Sequence, residues 1–133
     1  MSTSSAAATV VSNDISAYVG EDKTLLVTVK QDGVKKDMTG ADIFFTVRLR
    51  VTDPDPAVLS IDSISQPAQA FVLLPQSDTD KLGKLQINIL DTDTVAVTAG
   101  EYFYDIWIKL GGLKNSIKFA KIVLKQPITT TIP

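Results

Sequence analysis

Two long stretches of this chain alternate apolar and polar side chains with a period of two, a pattern that fits a half-buried strand and no helix. From Ala41 to Val51, Ile43, Phe45, Val47, Leu49 and Val51 fall on one face, and Asp42, Phe44, Thr46, Arg48 and Arg50 on the other. From Glu101 to Leu110, Tyr102, Tyr104, Ile106, Ile108 and Leu110 alternate with Phe103, Asp105, Trp107 and Lys109. Composition agrees: 13 Val, 12 Ile and 14 Thr in 133 residues favour a pleated surface, where β-branched side chains pack well.

The same period recurs elsewhere. Leu25, Val27 and Val29 alternate with Thr24, Thr28 and Lys30 ahead of an Asp32-Gly33 turn, and Leu85, Ile87 and Ile89 alternate with Lys84, Gln86 and Asn88. Gly111-Gly112 folds the chain back into Ser116–Leu124, where Ile117, Phe119 and Val123 are expected opposite Lys118, Ala120, Ile122 and Leu124. Asp53-Pro54-Asp55-Pro56 stops the strand Ala41–Val51, because proline denies ladder donors and extends the residue before it. Val58–Ser63 is a short strand candidate, and Phe71–Leu74 is either a strand or a buried loop. With Thr9–Val19 as the first strand, the pattern predicts an all-β, immunoglobulin-like antiparallel β-sandwich of about seven strands; a small β-barrel is the alternative. Residues 1–12 read as a flexible arm, 13–126 as the sandwich domain and 127–133 as a Thr-rich tail.

Histidine and cysteine are both absent. That removes Ser-His-Asp and Cys-His nucleophiles, thiolate or imidazole zinc sites, and disulfides. A formal charge of −2 and only two arginines leave no footprint for nucleic acid. Lys118, Lys121 and Lys125 are read as solvating side chains that also protect a sheet edge. The stretch 1–12 lacks a basic region and a long apolar run, and nothing approaches a membrane span, so synthesis in a cytoplasm and no membrane partner are expected.

Three Asp-x-Asp pairs, Asp53/Asp55, Asp78/Asp80 and Asp91/Asp93, offer the hard oxygens that calcium takes. The stretch from Asp78 has acids at its first and third places and Gly83 at its sixth. Leu82 and Ile89, however, occupy the fifth and twelfth places, where oxygen donors are needed. Asp at turns caps its own backbone, and that is the expected role here, with no metal or cofactor. With Glu21 and Glu101 the only glutamates, nothing suggests a glycosidase acid pair, and no catalytic residue is assigned. The candidate interface is aromatic. If Tyr102, Tyr104, Ile106 and Ile108 fill the core, Phe103 and Trp107 point outward, and Phe44 joins them should its strand pair nearby. The chain's own arm or the Asp53–Gln76 loop could instead cover them.

The phrases "DMTGADIFFTVR" at Asp37–Arg48 and "GKLQINILDTDTVAVTAGEYFYDIWIK" at Gly83–Lys109 resemble the small immunoglobulin-like modules of tailed-bacteriophage virion proteins. Such modules occur in baseplate upper proteins, tail fibres and head-decoration proteins. Thr39-Gly40-Ala41 and Ala99–Asp105 carry the resemblance, which spans Asp22–Leu124, while Val95–Thr98 and the long Asp53–Gln76 loop depart from it. The resemblance implies a non-enzymatic structural protein of the virion, docked on capsid or tail subunits or assembled with copies of itself. The length leans toward a whole small cement or decoration protein over a baseplate component. A carbohydrate- or receptor-binding module, with Phe103, Tyr104 or Trp107 stacking on sugar rings, is the alternative.

Overall fold

The computed structural model describes residues 7–10, 14–50 and 57–128. The two long alternating stretches are neighbouring strands, β5 (Asp42–Arg48) and β9 (Gly100–Leu110), paired antiparallel. On β9, Tyr102, Tyr104, Ile106 and Ile108 are buried, and on β5 Ile43, Phe45 and Val47 are buried, as the alternation requires. β5 ends at Arg48, earlier than the pattern suggests, and Leu49 turns outward at 46% exposure. The proline segment 51–56, with Val51, Asp53 and Asp55, lies outside the described residues.

Among the described residues ten strands form two five-stranded sheets. In the first, β1 (Ala7–Val10), β3 (Lys23–Gln31), β8 (Lys84–Ile89) and β7 (Ala70–Val72) lie in that order, and the two-residue β4 (Val34–Lys35) folds back on β3 through the Asp32-Gly33 turn. In the second, β2 (Ile15–Tyr18), β10 (Leu113–Lys125), β9, β5 and β6 (Leu59–Asp62) follow one another. A single helical turn, α1 (Asp91–Thr94), links β8 to β9. Sheets of this order facing each other across one core make the immunoglobulin-like sandwich that the sequence predicts.

Several details differ from the expectation. The predicted first strand is two strands in different sheets: β1 pairs with β3, whereas β2 pairs with β10 in the fold's one parallel ladder among the described residues. Ala7–Val10 lies inside the stretch expected as an arm, and residues 1–6 and 11–13 lie outside the described residues, as do 129–133 of the expected tail. The return strand β10 also breaks the predicted alternation. Its register against β9 shifts between Ser116 and Lys118, so that Ile117 is the extra residue of a bulge. Ile117 is buried on one side of that bulge, and Ile122 and Leu124 are buried on the other, reversing the parity read from sequence. Because β2 covers the far side of β10, Lys121 and Lys125 guard no sheet edge. Lys121 Nζ lies 3.6 Å from Glu101 and Lys125 Nζ 6.0 Å from the centre of the Tyr18 ring.

Two features lock the sandwich. Near the start of β9, Tyr102 donates its phenol hydrogen to the carbonyl of Thr98 at 2.5 Å, the tyrosine corner of immunoglobulin sandwiches. Two residues on, where such domains place an inter-sheet cysteine, stands Tyr104, its ring centre 5.7 Å from that of Phe45 on β5. Below the other end, the Gln76 side chain is 4% exposed and uses both ends of its amide. Its Oε1 accepts from the N–H groups of Met38 and Gly83, each at 2.9 Å, and its Nε2 donates to the carbonyls of Leu73 at 2.6 Å and Lys81 at 2.7 Å. A single polar side chain thereby satisfies backbone groups of three loop segments that no strand ladder reaches.

Candidate functional site

Outward-facing residues of the second sheet are set in rows by its registers. Along β9 and β5 the directly opposed pairs are Lys109 with Asp42, Trp107 with Phe44, Asp105 with Thr46, and Phe103 with Arg48. On its other side, β9 sets Lys114 of β10 opposite Lys109, Ser116 opposite Trp107, and Lys121 opposite Phe103. Directly opposed side chains sit about 5 Å apart at their Cβ atoms, so Trp107 and Phe44 are neighbours on one surface.

Trp107 is 41% exposed, and its indole Nε1 donates to Asp105 Oδ2 at 3.1 Å. That bond fixes the ring by its edge and leaves its apolar body to solvent. Phe44 is half-buried beside it, and with Ile108 and Lys114 the two aromatics line a depression of about 250 Å³. Of the three aromatics named from sequence, the structure thus brings Phe44 and Trp107 together. Phe103 is on the same face but four residues along β9, about 13 Å away, half-buried between the ladder positions of Arg48 and Lys121. Tyr104, considered above for sugar stacking, is 1% exposed and belongs to the core. Burial and the charge of Asp14 push its phenol up to about 12, against an ordinary value of 10.0.

The acidic pairs serve the backbone. Asp78 Oδ1 accepts from the N–H of Asp80 at 2.9 Å. In the β8–β9 connection Asp93 Oδ2 accepts from the N–H of Leu90 and from Gln69 Nε2, both at 2.8 Å, while the N–H of Asp91 donates to Asp22 at 2.7 Å. Among the described residues no group of three or more acidic side chains is gathered as a metal would require; Asp53 and Asp55 lie outside them. Asp37, ahead of β5, accepts from the hydroxyl and N–H of Thr39, which hold its carboxyl below the usual range. Sequence reasoning missed Gln76 and the buried Thr94, whose hydroxyl oxygen accepts from Gly20 at 2.9 Å. Both are polar residues in turn-rich segments, where nothing in the local pattern separates a buried amide or hydroxyl from a solvated one.

No protein-family model matches the chain, and no curated protein matches it. Among solved structures it is similar to a marsupial T cell receptor, with TM-score 0.51 and 8% identity, over 96% of this chain and 55% of that one. It also aligns with domains 4 and 5 of the S-layer protein SbsC, with TM-score 0.41 and 16% identity, over 89% of this chain and 50% of that one. The chain thus spans about half the length of each. At such identity the likeness concerns the fold alone.

Proposed function

We propose that this chain is a non-enzymatic structural protein of a bacteriophage virion, docking on a capsid or tail lattice by protein–protein contact, as a cement or decoration protein before a baseplate component. The observation that carries the docking role is the Trp107–Phe44 pair, an indole and a phenyl ring side by side on an outward sheet face. Clustered aromatics at a partly open surface are the usual anchors of protein interfaces, since they bury much apolar area for little lost side-chain freedom. The virion assignment draws its support from the sequence resemblance at Thr39–Ala41 and Ala99–Asp105. On a symmetric particle many weak contacts of this kind add up to durable attachment.

Mixing the purified protein with tailed-phage particles assembled without it, then pelleting the particles, tests this directly. The protein is expected to co-sediment, and Trp107→Ala is expected to weaken attachment by at least about tenfold, in the range of interface anchors. Absence of any particle binding would overturn the virion role. Binding to a glycan array that disappears in Trp107→Ala would instead favour the carbohydrate-binding alternative.

A further inference from the structure

We propose that the partner seated on the Trp107 face is a second copy of this chain, related by a two-fold axis that runs along β5 and β9 and passes between them. The inference rests on taking this face as a docking surface, and it adds the identity of the occupant.

A two-fold interface uses one patch twice, so whatever lies on one side of the axis must complement what lies on the other. Rotation about an axis between β5 and β9 lays each outward residue over its own ladder mate in the other copy. The ladder supplies four such pairs, and each is complementary: Lys109 with Asp42, Trp107 with Phe44, Asp105 with Thr46, and Arg48 with Phe103. They are acid with base, ring with ring, carboxylate with hydroxyl, and guanidinium with ring. No like charges meet. Moving the axis one strand over, between β9 and β10, destroys the match, because Lys109 would then face Lys114.

Two further observations favour this occupant. Neither Asp42 nor Lys109 has an ion-pair partner among the described residues, so both charges remain available for intermolecular pairing. Trp107 is exposed, while the depression it lines with Phe44 offers a seat of about 250 Å³ for an aromatic ring of the other copy. Twisted sheets packed face to face cross at about 30°. The match is therefore closest at the Trp107–Phe44 and Lys109–Asp42 rows if the crossing point lies there.

Sedimentation velocity over a dilution series measures the assembly, and the fluorescence of Trp107, the only tryptophan, reports burial of the face itself. The wild-type chain is expected to sediment at twice its monomer mass and to shift its emission to the red as it dissociates. Lys109→Asp and Asp42→Lys should each raise the dimer dissociation constant by at least about tenfold, and the double variant should return to within about threefold of wild type. Circular dichroism checks that the variants, all at outward positions, keep the fold. A wild-type chain monomeric at every concentration overturns the proposal, and so does a double variant that fails to recover. If the chain is monomeric and Trp107→Ala still loses particle attachment, a lattice subunit occupies the face, and the docking role survives without the dimer. If the dimer forms and no particle is bound, the virion role fails and the dimer stands.

Discussion

The phenol of Tyr102 reaches back four residues to the carbonyl of Thr98, tying the start of β9 to the turn that follows α1. The ring itself is 6% exposed, so the bond is made at the rim of the core, where water competes poorly.

Tyr102→Phe keeps the ring and removes only this bond, leaving the Thr98 carbonyl without its phenol donor. A loss of about 1–2 kcal/mol is expected. Urea denaturation should show a lower midpoint with an unchanged slope, since the surface exposed on unfolding stays the same.

Gln76→Leu should cost more, about 3 kcal/mol or above, because the N–H groups of Met38 and Gly83 and the carbonyl of Leu73 lose this partner together, while the Lys81 carbonyl keeps only the N–H of Lys84. Gln76→Glu retains the acceptor but points a second carboxyl oxygen at the carbonyls of Leu73 and Lys81. Its deficit should shrink as pH falls and the carboxyl becomes a donor, which denaturation midpoints at neutral and acid pH would register.

Gly83 has φ +76°, and a Cβ there would stand 2.8 Å from the Val29 carbonyl oxygen. Gly33, at φ +79° in the β3–β4 turn, has open space around the same position. Both alanine variants carry the left-handed backbone penalty, about 1–2 kcal/mol, but only Gly83→Ala adds a collision with backbone. Thermal melts should therefore rank Gly83→Ala clearly below Gly33→Ala.

The raised phenol of Tyr104 makes stability fall at alkaline pH. The folded state keeps the proton up to about 12, whereas the unfolded chain releases it near 10.0, so the contribution is complete below about 10 and is lost as pH rises through about 12. Urea midpoints from neutral to strongly alkaline pH should drop less steeply in Tyr104→Phe than in wild type.

Much of the fold was legible because β5, β8 and β9 each present one face to the core, and period-two alternation is a direct imprint of that. The pattern says which face a residue occupies and nothing about what lies beside it. Phe44, Phe103 and Trp107 could all be assigned outward positions from sequence, yet register alone decides that Phe44 abuts Trp107 and not Phe103. The parity error in β10 has a similar origin: one inserted residue at Ile117 brings Ile122 and Leu124 to the core along with Ile117, although the alternation sets them on the opposite face. Splitting of the first strand between two sheets was hidden because β1 and β2 are four residues each, and short apolar runs carry no mark of the sheet they join.

Where related sandwiches place a cysteine of their inter-sheet cross-link stands Tyr104, ring against ring with Phe45 of the neighbouring strand in the same sheet, so the two sheets are held together by side-chain packing alone. A cross-link would also confine the denatured chain, and this one is left with its full conformational freedom. That packing comes apart with solvent alone and forms again without an oxidant. Copies synthesised in a reducing compartment can reach their final shape there, with no later oxidation step to await.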